Sequence, residues 1–197
     1  VHPIQLTVAY SERQSRLTTF FRYFTALPHV IVMQVWAIPV LFVSFAAWFA
    51  ILFTGSYPVG MWSFAARWLR YAGRVNGYGA LLADGFPPFN GDEPYAISVT
   101  AERQERLSRL TSFFRGIWII PAYVVLYIFS IGAAVVTIVL WFAIIFTGRA
   151  PLGMHRFVAR VQRYSIRFTA YYLLLTDVYP SFEEPPAPVA TDAVAAW

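Results

Sequence analysis

The chain has 197 residues, of which 58% are hydrophobic and 19% aromatic, and only 13% carry charge. With a mean hydropathy of +0.55, this composition excludes an ordinary soluble domain and places the chain among membrane proteins. The net charge of +5 comes from 15 basic residues that are all Arg, and the absence of Cys excludes disulfides, thiolate metal sites and a Cys nucleophile.

Residues 3–9 set Ile4, Leu6 and Val8 against polar neighbours, the period of a short strand. No apolar run behind a basic start precedes them, so no cleavable signal peptide is expected. An Arg-rich amphipathic stretch at 11–24 reads as interfacial. The apolar block at 18–55 carries one charge, Arg22, near its start. A spanning helix needs about 20 residues, so this block reads as two helices, at 18–37 and 40–55, turning at Pro39. A break at Pro28 is the alternative, leaving one strongly tilted span. Arg67, Arg70 and Arg74 then fall at i, i+3 and i+7, one face of a helix. That helix suits the headgroup plane, with its aromatic side in the lipid. Asp84 and Pro87 close the unit.

The whole unit returns. Residues 12–89 align without a gap to 105–182, and nearly half of the aligned residues are identical. Ile97 and Val99 mark the equivalent strand, which can pair with the first. The second block, 111–148, reads as helices at 111–130 and 134–148, with Gly132 where the first has Pro39. Arg115 matches Arg22; Arg160, Arg163 and Arg167 match Arg67, Arg70 and Arg74; Asp177 matches Asp84. An ungapped repeat is a duplicated structural unit. The chain therefore divides into a first repeat at 1–92, a second at 93–182, and a Pro- and Ala-rich tail at 183–197 expected to be disordered.

Arg16-Leu17-Thr18, Trp48-Phe49-Ala50, Phe53-Thr54-Gly55 and Pro58 occur in order and recur in the second repeat. With the RYxxR and LLxDxxP segments that follow, this pattern resembles the prokaryotic membrane family catalogued as domain of unknown function 4389, in a tandem, actinobacterial-type form. The resemblance covers nearly the whole chain apart from the tail. It implies an integral membrane protein and carries no activity, cofactor or catalytic residue with it.

The expected fold is an all-α membrane protein of two tandem repeats. Each holds an interfacial helix, a transmembrane helical hairpin and an Arg-rich amphipathic helix, preceded by a short β-strand. Positive-inside bias places the Arg-rich segments and termini in the cytoplasm of a multi-pass protein of the bacterial inner membrane. The arginines serve either to fix topology or to contact lipid headgroups and partner surfaces; the residues in question are Arg22, Arg67, Arg70, Arg74, Arg115, Arg160, Arg163 and Arg167. Arg22 and Arg115 lie inside the apolar blocks, so each either snorkels to the headgroups or pairs with Asp84 or Asp177 or a bound phosphate. Asp84 and Asp177 read more readily as turn acceptors than as proton or metal carriers. His2, His29 and His155 are scattered without metal spacing, and no catalytic ordering occurs. The chain is therefore expected to be non-catalytic and without cofactor or metal. Its expected partners are the bilayer, including anionic phospholipid, and other membrane protein subunits, with Trp197 docking on a neighbour; nucleic acid is not among them. Three roles follow: an accessory or scaffolding subunit of a membrane complex, an anionic-lipid-binding or lipid-handling protein, and a small transporter or channel component.

Overall fold

The computed structural model describes residues 2–89 and 95–183. Among these, the chain runs β1 (Ile4–Val8), α1 (Arg16–Thr54), α2 (Val59–Gly79), β2 (Ile97–Ala101), α3 (Arg109–Thr147) and α4 (Leu152–Tyr172). The fold is mostly helical, with one small sheet. The tail and Trp197 lie outside the described residues.

α1 begins where the Ser15 hydroxyl accepts the Thr18 N–H, an N-cap. It ends at Gly55, whose φ of 74° makes a left-handed cap donating to the Ile51 carbonyl. α3 repeats both devices with Ser108, Thr111 and Gly148 (φ 71°). Between the caps each helix is continuous. The turns expected at Pro39 and Gly132 do not form, and each apolar block is one helix of 39 residues rather than a hairpin. The amphipathic start of the block runs into α1 without a separate interfacial helix. The reason lies in the neighbours of the two breakers: no polar run surrounds Pro39 or Gly132 to solvate a turn, and a lone Pro or Gly is tolerated in an apolar helix. At 1.5 Å per residue each helix is about 58 Å long.

α1 and α3 run antiparallel. The Trp48 indole N–H donates to the Ser112 carbonyl at 3.0 Å, and the equivalent Trp141 donates to Thr19 at 3.0 Å. Each long helix also packs on the shorter helix that follows it, and α2 packs on α4. The strands pair antiparallel, Leu6 opposite Val99, and cover α2 and α4 from the other side. The result is three layers: α1 with α3, then α2 with α4, then the strand pair. A pseudo-twofold axis crosses all three. It relates Leu6 to Val99 and Gly73 to Ile166, each an aligned pair in contact.

The core runs through all three layers: Ile4, Leu6, Ile97 and Val99 of the strands share one buried cluster with Ala66, Leu69, Ile166 and Ala170 and with Val40, Ala47 and Ile51 of α1, and Leu140 and Ile144 of α3 form a second. Gly73 and Gly77 let α2 approach the sheet closely: a Cβ at Gly73 would stand 2.5 Å from Val99 Cγ2, and one at Gly77 would stand 2.4 Å from Ile97 Cδ1. The aromatic side of α2 does not face lipid as expected. Trp36 of α1 covers Phe64 and Tyr71, with ring centroids 6.1 and 5.8 Å apart, and Tyr71 and Tyr78 are buried. α1 offers the more apolar outer surface, so it takes the outside position and α2 is covered by it.

Candidate functional site

Two equivalent knots fasten the starts of the long helices. Arg22 is fully buried. Its Nη1 donates to the carbonyls of Tyr78 (3.0 Å) and Ala83 (2.6 Å), and its Nη2 pairs with Asp84 Oδ1 at 3.3 Å. The guanidinium also sits 4.6 Å from the Tyr78 ring centroid. The other carboxylate oxygen of Asp84 accepts the Ser15 N–H at 3.1 Å, one residue before α1 begins. Arg115 makes the same set with Tyr171, Thr176 and Asp177, and Asp177 accepts the Ser108 N–H. Arg–carboxylate pairs of this kind are the strong charge-assisted bonds. Both knots need a tight turn after the shorter helix, and Leu81 (φ 62°) and Leu174 (φ 64°) supply it in the left-handed region. A non-Gly residue there costs about 1–3 kcal/mol, which the surrounding contacts must offset. Arg22 and Arg115 are therefore not headgroup contacts. They face inward, and of the sequence alternatives the structure selects the aspartate pair.

The other arginines divide by position. Arg163 Nε donates to the Leu6 carbonyl and Arg167 Nε to the Ile4 carbonyl, both at 3.3 Å. Arg167 Nη1 also reaches the carbonyls of Ser181 (2.7 Å) and Glu183 (2.8 Å). These bonds close the outer edge of β1, where unpaired carbonyls would otherwise face outward. Arg74 is buried and lies 6.0 Å from the Tyr95 ring centroid. Arg67 and Arg160 are exposed, Arg70 is half-buried, and Arg156, where the first repeat has Ser63, is exposed too. Arg67, Arg156 and Arg160 are thus exposed on the shorter helices, and Arg13, Arg16, Arg106, Arg109 and Arg149 are exposed around the ends of the long ones. Arg156 extends the sequence-predicted Arg face of the second repeat by one turn, ahead of Arg160.

The largest feature of the surface is the first layer itself. α1 and α3 are long and apolar enough to cross a membrane, yet only 22% and 11% of the residues in their most apolar stretches are buried. Leu17, Phe21, Phe24, Ile31, Val35, Ile38, Phe42, Phe45, Phe49 and Phe53 are all exposed along α1, and α3 presents an equivalent row from Leu110 to Phe146. Patches beyond a few hundred Å² mark interaction sites in soluble proteins; this one runs the length of two helices. At the α1–α3 seam a groove of about 620 Å³ opens between Ala26, Val30, Ala134 and Thr137, with Gln162 of α4 at its wall. Among the described residues no cluster of His, Cys, Asp or Glu could hold a metal.

The family described as "Domain of unknown function (DUF4389)" matches residues 16–90 and 109–183. The chain belongs to this family. It carries two DUF4389 units in tandem, and each begins with the long helix and ends just past the aspartate of its knot. No curated protein and no solved structure matches the chain.

Proposed function

We propose that this DUF4389 protein is a non-catalytic membrane protein that binds anionic lipid. The observation that carries the reading is the inversion of burial: the two most apolar helices are the least covered, while the polar-faced helices hold the core. A bilayer supplies the missing apolar contact. The flanking guanidiniums of Arg67, Arg70, Arg156 and Arg160 sit on the layer immediately above, where phosphates of the headgroups would meet them. Each Arg near an anionic leaflet contributes about 1 kcal/mol, and guanidinium binds phosphate bidentately.

The test is partition of the purified protein between neutral phosphatidylcholine vesicles and vesicles containing phosphatidylglycerol. The triple variant R67E/R156E/R160E is expected to lose most of the preference for the anionic vesicles while keeping its binding to neutral ones. Equal partition of the wild type into both kinds of vesicle would overturn the lipid-selective reading. A subunit role in a larger membrane assembly is the second reading, favoured by the α1–α3 groove, which has room for side chains of a neighbouring apolar helix. A stoichiometric second protein after mild-detergent extraction would establish that role.

A further inference from the structure

Crossing a bilayer and lying within one leaflet place the layers of this fold very differently. We infer that the protein is embedded in a single leaflet, with α1 and α3 parallel to the membrane plane, the pseudo-twofold axis along its normal, and the strand layer in water. The inference rests on the membrane reading above and adds the orientation. Four observations converge on it.

The first is length. Exposed apolar residues run from Leu17 to Phe53 and from Leu110 to Phe146, so nearly the whole of each ~58 Å helix wants lipid. The hydrocarbon core is about 30 Å thick. A spanning helix would have to tilt by about 60°, beyond the usual range of about 0–40°. Lying flat needs no compromise, and a helix about 10 Å across matches the roughly 5–10 Å depth of an interfacial helix.

The second is the sheet. The axis passes through Leu6 and Val99, so the strand pair sits at the midpoint of the long helices. In a spanning orientation the exposed polar side chains of Thr7, Ser98 and Thr100 would lie at mid-depth, where polar groups without water are costly. In the flat orientation that face meets water.

The third is charge. Arg70, Arg74, Arg163 and Arg167 lie within a turn of the axis pair Gly73 and Ile166. Spanning would carry all four to the bilayer centre, where ionised side chains are rare and costly. Flat, they sit above the apolar layer at headgroup level.

The fourth is the pair of helix ends. Glu12 and Arg149 make an ion pair at 3.8 Å at one end of the slab, both side chains well exposed; Glu105 and Arg106 are exposed at the other. A flat protein keeps both ends on the same side of the membrane.

The absence of Cys from the chain makes the test direct. Single-cysteine variants E12C, E105C and S98C, at the two ends and on the outer sheet face, are treated with a membrane-impermeant maleimide. Sealed vesicles are used in right-side-out and inverted preparations, after confirming that each variant unfolds in detergent like the wild type. The expected result is that all three label together in one preparation and are all protected in the other. Labelling of Glu12 and Glu105 positions from opposite sides, or protection of the Ser98 position in both preparations, would overturn the flat orientation while leaving membrane binding intact. Release of the unmodified protein from membranes by alkaline carbonate would instead overturn the membrane reading beneath it.

Discussion

The two repeats share their bonds and differ in their packing. Several long-range ties between them are kept in both directions. Trp48 and Trp141 reach across to the opposite long helix. Trp62 Nε1 donates to the Leu175 carbonyl at 3.3 Å, and His155 Nε2, at the aligned position, lies 3.2 Å from the Leu82 carbonyl. Tyr10 donates to Ala150 and the aligned Arg103 donates to Tyr57. Side chains change while the carbonyl they serve does not. On the axis the repeats diverge: Gly73 faces Ile166, and a Cβ on the glycine would stand 3.3 Å from Ile166 Cδ1. Two identical units meeting here would pair Gly with Gly, leaving a void, or Ile with Ile, which has no room. Duplication within one chain allows one of each. The comparison teaches that shared carbonyl acceptors keep the two halves alike in backbone while their side chains diverge, most tightly constrained where the halves touch.

The largest expected effect breaks both halves alike. R22M and R115M each remove one partner of a buried pair and leave an aspartate and two carbonyls unserved. Each is expected to cost about 3 kcal/mol, read as a lowered unfolding midpoint in detergent micelles. Unequal losses would show that the two knots are not equivalent. Next, G73V forces a branched side chain into the space taken by Val99 and is expected to cost about 1–3 kcal/mol. Combining G73A with I166A should return part of what either loses alone, because the pair shares one space; simple additivity would refute the axis argument.

A smaller effect appears with pH. Burial, reinforced by the nearby Arg163, holds His155 below its ordinary value of 6.5, against the opposing pull of the Leu82 carbonyl. The folded site therefore refuses a proton that the unfolded chain accepts. Its contribution to stability is complete above pH 6.5 and declines as pH falls below it. His2 is shifted the same way, by burial first. H155W, which copies Trp62 of the first repeat, should flatten part of that acid decline, measured by unfolding between about pH 5 and 7; an unchanged profile would contradict the assignment. Smallest of all, G153A meets open space in a helix and is expected to gain about 0.4–1 kcal/mol, in contrast to G73V.

Much of this arrangement is legible in the chain. The ungapped repeat, the period-2 strands and their pairing, the helix stop at Phe53-Thr54-Gly55 and the Arg face of α2 all follow from local pattern. The break at Pro39 and Gly132 does not form because a single breaker is a weak signal where no polar residues accompany it. The burial of Arg22 depends on a left-handed turn at Leu81, and leucine gives no local sign of that conformation. Periodicity shows that α2 has an aromatic face but not what covers it; only the docking of α1 decides that. The orientation of α1 and α3 was hidden for the same reason, since length and hydropathy describe a helix and not its neighbours.

The central claim is that the outer face of α1 and α3 meets lipid and the strand layer does not. Photolabelling in vesicles with a phospholipid carrying a diazirine in its acyl chain, followed by peptide mapping, tests it most directly. The account predicts carbene adducts along the exposed rows of both long helices, including Phe42, Phe49, Phe142 and Phe146, and none on residues 4–8 or 97–101. Adducts on the strands, or long helices left unlabelled in membrane-bound protein, would contradict it.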